Sequence, residues 1–124
     1  MTPEMSTEVF DHAAALSSAG GEPEFLSELV GLFRAAWPTL RNDIELGLVR
    51  ADLRSVEQSA RLAKAASQNI HALRVSQSAA RLVADAREGS FGAAEIDFAK
   101  LECEVQRLIP HLMPFTSAQR FKRA

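Results

Sequence analysis

The chain has 124 residues, a length that suits one domain, with 47% hydrophobic and 24% charged residues, a composition able to bury a core and unlike that of disordered chains. A net charge of −2 gives no global reason to expect nucleic-acid or membrane-surface partners, which favour strongly basic proteins. One cysteine excludes an internal disulfide framework and suits a reducing cytoplasm, and no stretch nears the ~20 apolar residues that span a bilayer. The start, MTPEMSTEVFDHAAAL, is acidic and interrupted, unlike a secretory signal. These features predict a soluble, cytoplasmic domain.

In chain order, a polar opening leads to a short helix over residues 11–18, with Asp11 as N-cap and Gly20-Gly21 as its stop. Phe10 and Leu16 are expected to fold over one end of the molecule as a lid. A long helix follows over 22–50, with Pro23 in its first turn. Its apolar set is Phe25, Leu29, Leu32, Phe33, Ala36, Trp37, Leu40, Ile44 and Leu48, a period near 3.6 that continues unshifted past Pro38. One bent helix, rather than two, is therefore expected, with Trp37 in the core.

Asp52 is a natural N-cap for a third helix reaching Asn69 or His71. Leu53, Val56, Ala60, Ala63, Ser67 and Ile70 recur at three and four, a face of small or apolar residues that lets neighbours approach closely. The opposite ridge carries Arg54, Glu57, Arg61, Lys64, Ala65 and Gln68. A fourth helix runs from about Ala72 to Glu88 on Val75, Ala79, Leu82, Val83 and Ala86, and Gly89 ends it. The last spans about Ala93 to Leu112 on a seam of Phe98, Leu101, Val105, Leu108 and Leu112, with Cys103 off the seam as an inert thiol. From Pro114 the periodicity breaks into a basic tail ending Arg120-Phe121-Lys122-Arg123. No strand pattern appears. The pattern predicts an all-α, up-down-up-down antiparallel four-helix bundle over 11–113 with a short lid helix, between an N-terminal extension (1–10) and a C-terminal tail (114–124).

The central stretch SARLAKAASQNIHAL resembles the motif A-H-x-L-K-G-S-S-x-N-I-G-A-x-x-L of histidine-phosphotransfer domains of bacterial phosphorelays. Ala60, Lys64, Ser67, Asn69, Ile70 and Ala72 match in register. Arg61 replaces the phospho-accepting histidine, Ala65 and Ala66 replace a glycine and a serine, and His71 replaces the later glycine. The resemblance covers helix order and lengths from about Phe10 to Leu112, and it implies the same bundle, including the opening Phe10-Asp11 pair.

Arg61 cannot serve as phosphate carrier: a guanidinium stays protonated and has no lone pair to attack an aspartyl phosphate. His71 lies ten residues on, about 15 Å along the axis, and His12 and His111 lie near other helix ends. The histidines show no metal-ligand spacing, and no phosphate loop, nucleophile elbow or carboxylate pair is visible. Enzymatic activity, cofactors and metals are not expected. What the resemblance implies is a module that docks a response-regulator receiver domain, or a hybrid histidine kinase carrying one, without accepting phosphate. Arg61, Lys64, Ala65, Gln68 and Arg54 would form the contact, the cations facing the acidic, metal-binding receiver site known for that family. Two alternatives stand beside it. One is a structural or oligomerising helical module associating through the Phe91 turn or the basic tail. The other is phosphotransfer through a relocated histidine.

Overall fold

The computed structural model describes the backbone of residues 10–123 and the side chains of residues 10–113. The N-terminal extension, apart from Phe10, and the side chains of the C-terminal tail lie outside the described residues. Within them the chain is all-helical: α1 (His12–Ser18), α2 (Pro23–Val49), α3 (Leu53–Asn69), α4 (Leu73–Glu88) and α5 (Phe91–Arg123), with no strand.

The helix starts follow local capping chemistry. The Asp11 side chain accepts from Ala14 N–H at 3.0 Å and that of Asp52 from Ser55 N–H at 3.2 Å. Pro23 opens α2, where its missing N–H costs nothing. All four stops use one device, a residue at positive φ followed by an amide that reaches back five residues. Gly21, Asp52, Ala72 and Ser90 donate to the carbonyls of Leu16, Gly47, Ser67 and Asp85 at 2.7–2.9 Å. The positive-φ residues are Gly20, Ala51, His71 and Gly89, so two of the four turns place a side chain where glycine is favoured.

α3 packs on α2 and α4, and α5 packs on α4 and α2, while α1 lies against α2. One core joins them. From α3 it takes Val56, Ala60 and Ala63; from α4 Val75, Ala79, Leu82, Val83 and Ala86; and from α5 Ala94, Phe98, Leu101, Val105, Leu108 and Leu112. Ser67, also on the inner face of α3, is fully buried and satisfied: its hydroxyl donates to the carbonyls of Ala63 and Lys64 at 2.9 Å. Phe10, Leu16 and Trp37 pack at the edge of the core. Gly47 is where α2 and α3 meet most closely, since a Cβ there would lie 2.8 Å from Val56 Cγ2.

Ion pairs tie the helices from outside. Arg41 of α2 binds Glu102 of α5, and Arg74 of α4 grips Glu104 of α5 through Nε and Nη2, both at 2.9 Å. Arg87 of α4 meets Glu57 of α3 at 2.8 Å.

Two expectations need correction. On α2 the buried residues are Leu26, Val30, Phe33, Ile44 and Leu48, whereas Phe25 and Leu32 are 46% and 66% exposed. Apolar residues at 25, 26, 29, 30, 32 and 33 cover two faces, so periodicity alone leaves the phase of this end open. The last helix starts at Phe91, with Ala94 N–H donating to the Ser90 carbonyl, and runs past Pro110 and Pro114 to Arg123. The apolar seam ends near Leu112, whereas the helical backbone continues to Arg123.

Candidate functional site

The α3 ridge is built by the same periodicity that buries Val56, Ala60 and Ala63 on the other side. Arg54, Arg61, Ala65 and Gln68 are exposed and Lys64 is half-buried. From Arg54 to Gln68 the ridge spans about 21 Å, and Arg54 stands two turns before Arg61, apart from the other four.

Arg61 is 59% exposed, yet it is anchored: its Nη1 lies 3.5 Å from Glu57 Oε2. The same carboxylate oxygen accepts from Arg87 Nε. One carboxylate thus holds two guanidinium groups, and the triad carries one net positive charge where the first half of α3 meets the last turn of α4. The i,i+4 order, glutamate before arginine, is the favourable one along a helix. Lys64 makes no ion pair with any described residue.

Gln68 belongs to two places at once. It ends the basic ridge, and it lines a cleft with Ser18, Phe25, Leu29, Asn69 and His71. The exposed face of Phe25 and the half-buried Leu29 give this cleft an apolar wall. At its rim Ser18 Oγ lies 2.6 Å from His71 Nε2, tying α1 to the α3–α4 turn. His71 is not an idle surface residue, therefore. It closes the stop of α3 at a φ of 54° and bonds to the end of α1.

His12 is exposed and stacks on Phe10, with ring centroids 6.3 Å apart, and His111 is exposed on α5. Among the described residues no group of three His, Cys, Asp or Glu could hold a metal ion, and no helix is long and apolar enough to cross a membrane.

Sequence reasoning places Glu57 on the ridge without a role; its spacing to Arg61 carries the signal for the first pair. Arg87, Ser18 and the Phe25–Leu29 wall come from other helices, and no local pattern announces them. No protein-family model, curated protein or solved structure matches the chain.

Proposed function

We propose that the chain is a histidine-phosphotransfer-like module: α2–α5 form an up-down-up-down bundle, α1 acts as its lid, and α3 presents a docking ridge to a receiver domain in the cytoplasm. The observation that carries this reading is Arg61. It stands in the motif register where the nucleophile would be, exposed at mid-helix and braced by Glu57. The short connections, three residues between α2 and α3 and between α3 and α4, support antiparallel neighbours.

The chemistry of the ridge is binding rather than transfer. Arg61 and Lys64 offer donors and positive charge to a cluster of carboxylates, and Ala65 beside them is a small side chain one turn on from Arg61. Gln68 joins that basic strip to the apolar wall of Phe25 and Leu29, a combination of apolar centre and polar rim that suits protein contact. The partner is a response-regulator receiver domain, alone or within a hybrid histidine kinase, and no phosphoryl group passes to this chain. Charge reversal tests the contact: Arg61→Glu with Lys64→Glu abolishes receiver binding while the helical content is unchanged. Undiminished binding by that variant contradicts the reading.

One observation favours a second reading, a structural or oligomerising helical module. Phe25, Leu32, Leu46 and Val49 are all exposed on α2, more apolar surface than a helix facing only water needs. Phe91, by contrast, packs against the core and is a poor anchor for association. In this reading charge reversal on α3 leaves self-association intact, and Leu32→Glu removes it.

A further inference from the structure

A second polar site lies on α4, away from the α3 ridge and independent of the receiver reading. Arg74, Gln77, Ser78 and Arg81 follow one another at three, one and three residues, which stacks them on a single face of the helix. Together with Glu104 of α5 they line a cleft of about 150 Å³.

The uncompensated charge lining this cleft is positive. Its only carboxylate, Glu104, is already gripped by Arg74 through Nε and Nη2, and that pairing, aided by Arg107, holds the Glu104 carboxyl below its usual range. Arg81 is exposed and forms no ion pair with any described residue. Ser78 is only 6% exposed, lines the cleft, and its hydroxyl makes no hydrogen bond to any described residue. Buried serines within helices can bond back to a carbonyl one turn earlier, as Ser67 and Ser76 do here, whereas Ser78, like Ser59 on α3, does not. What remains on the cleft lining is the Arg81 fork, the Ser78 hydroxyl and the Gln77 amide, all able to donate and none negatively charged, with one net positive charge from two arginines and one glutamate.

The geometry points to a binding site for a phosphate group, seated on the α4 face between Arg74 and Arg81. The two arginines start about 10.5 Å apart along the axis; Arg74 stays paired with Glu104 and lends its charge to one side, while the long Arg81 side chain can reach a group held over Gln77 and Ser78. A planar carboxylate is satisfied by a single arginine fork, whereas a tetrahedral phosphate has enough oxygens for Arg81, Ser78 and Gln77 together. The ligand class is a free phosphate ion or a small phosphate monoester.

The full chain is titrated with inorganic phosphate at constant ionic strength, while the backbone amide and arginine Nε–H resonances are followed by NMR. A parallel titration uses O-phosphoserine, and acetate and chloride serve as comparison ions. Saturable shifts at Gln77, Ser78 and Arg81 with phosphate, and not with acetate or chloride, are the expected result. Response to both phosphate probes assigns a monoester site, and response to inorganic phosphate alone assigns a free-ion site. Arg81→Gln weakens binding by roughly tenfold. Ser78→Ala, which keeps a small buried residue, weakens it less. Glu104→Gln tightens it several-fold, because it releases the Arg74 fork and removes a negative charge. Circular dichroism checks that each variant remains helical. Equal shifts with chloride or acetate would mean an adventitious ion only, and they overturn the proposal. Absence of saturation, or unchanged affinity in Arg81→Gln, overturns it as well.

Discussion

Ser18 Oγ and His71 Nε2 lie 2.6 Å apart, a contact that joins the end of α1 to a turn 53 residues away. α1 is two turns long and lies against α2, and this hydrogen bond adds a polar tether to the packing of Ala15, Leu16 and Ala19 on the core. It also accounts for a histidine in a backbone conformation that favours glycine.

Substitution at His71 separates these two roles. His71→Gly removes the hydrogen bond but relieves the left-handed backbone, worth ~1 kcal/mol, so overall stability stays near that of the parent. His71→Ala loses the hydrogen bond and keeps the strain, and it is less stable than His71→Gly by about 1 kcal/mol. Chemical denaturation measures both. Hydrogen exchange at the α1 amides speeds up in each variant, and unchanged protection there would refute the tether.

Gly47→Ala tests the close approach of α2 and α3. Helix propensity alone favours alanine by ~1 kcal/mol at this interior position. The added Cβ would meet Val56 Cγ2 at 2.8 Å and the Asp52 carbonyl at 3.2 Å, against a fully buried β-branched side chain and backbone. Overpacking of that kind costs ~1–3 kcal/mol, so the variant is net destabilised, read as a lower urea midpoint. A midpoint equal to or above the parent's contradicts this packing.

Asp85 gives the fold a pH dependence. Burial pushes its carboxyl up to about 6, with Asp97 on α5 and Glu88 adding to the shift, and its Oδ2 is buried without a hydrogen-bond partner. The folded value lies above the unfolded value of ~4. The contribution is therefore fully present below about pH 4 and is lost as pH rises through about 6. Asp85→Asn carries no charge at either end of that window, and its amide can donate toward Asp97. The variant gains stability over the parent at pH 7.5, by on the order of 1–2 kcal/mol, and the gain shrinks toward pH 4. Urea midpoints at the two pH values measure this, and a gain independent of pH would contradict it.

Glu57→Gln releases both Arg61 and Arg87 from their shared carboxylate. All three side chains are at least partly exposed, so the expected loss of stability is small, ~0–1 kcal/mol. Docking responds differently. Without its brace Arg61 loses orientation but keeps its charge, so receiver affinity falls far less than with Arg61→Glu, as calorimetry would show.

Much of this was legible in the sequence because capping and periodicity act locally. Asp11, Pro23, Asp52 and Gly89 mark helix ends through groups within a few residues. The inner faces of α3, α4 and α5 repeat at three and four with no competing stripe. On α2 the apolar residues outnumber the positions one face can bury, so only the neighbours decide that Leu26 and Val30 point inward and Phe25 and Leu32 outward. The Arg87–Glu57, Arg74–Glu104 and Ser18–His71 contacts join residues 30 to 53 positions apart. Helix pattern can suggest that these helices meet, but not which side chains do.

The proposed docking without phosphate transfer can be tested directly. The purified chain is incubated with receiver domains charged from acetyl phosphate, and complex formation and label are followed together. Docking without transfer gives a complex with a receiver and no label on this chain. Acid-labile, base-stable label on the chain, traced to His71, His12 or His111, would contradict it, as would failure to bind any receiver.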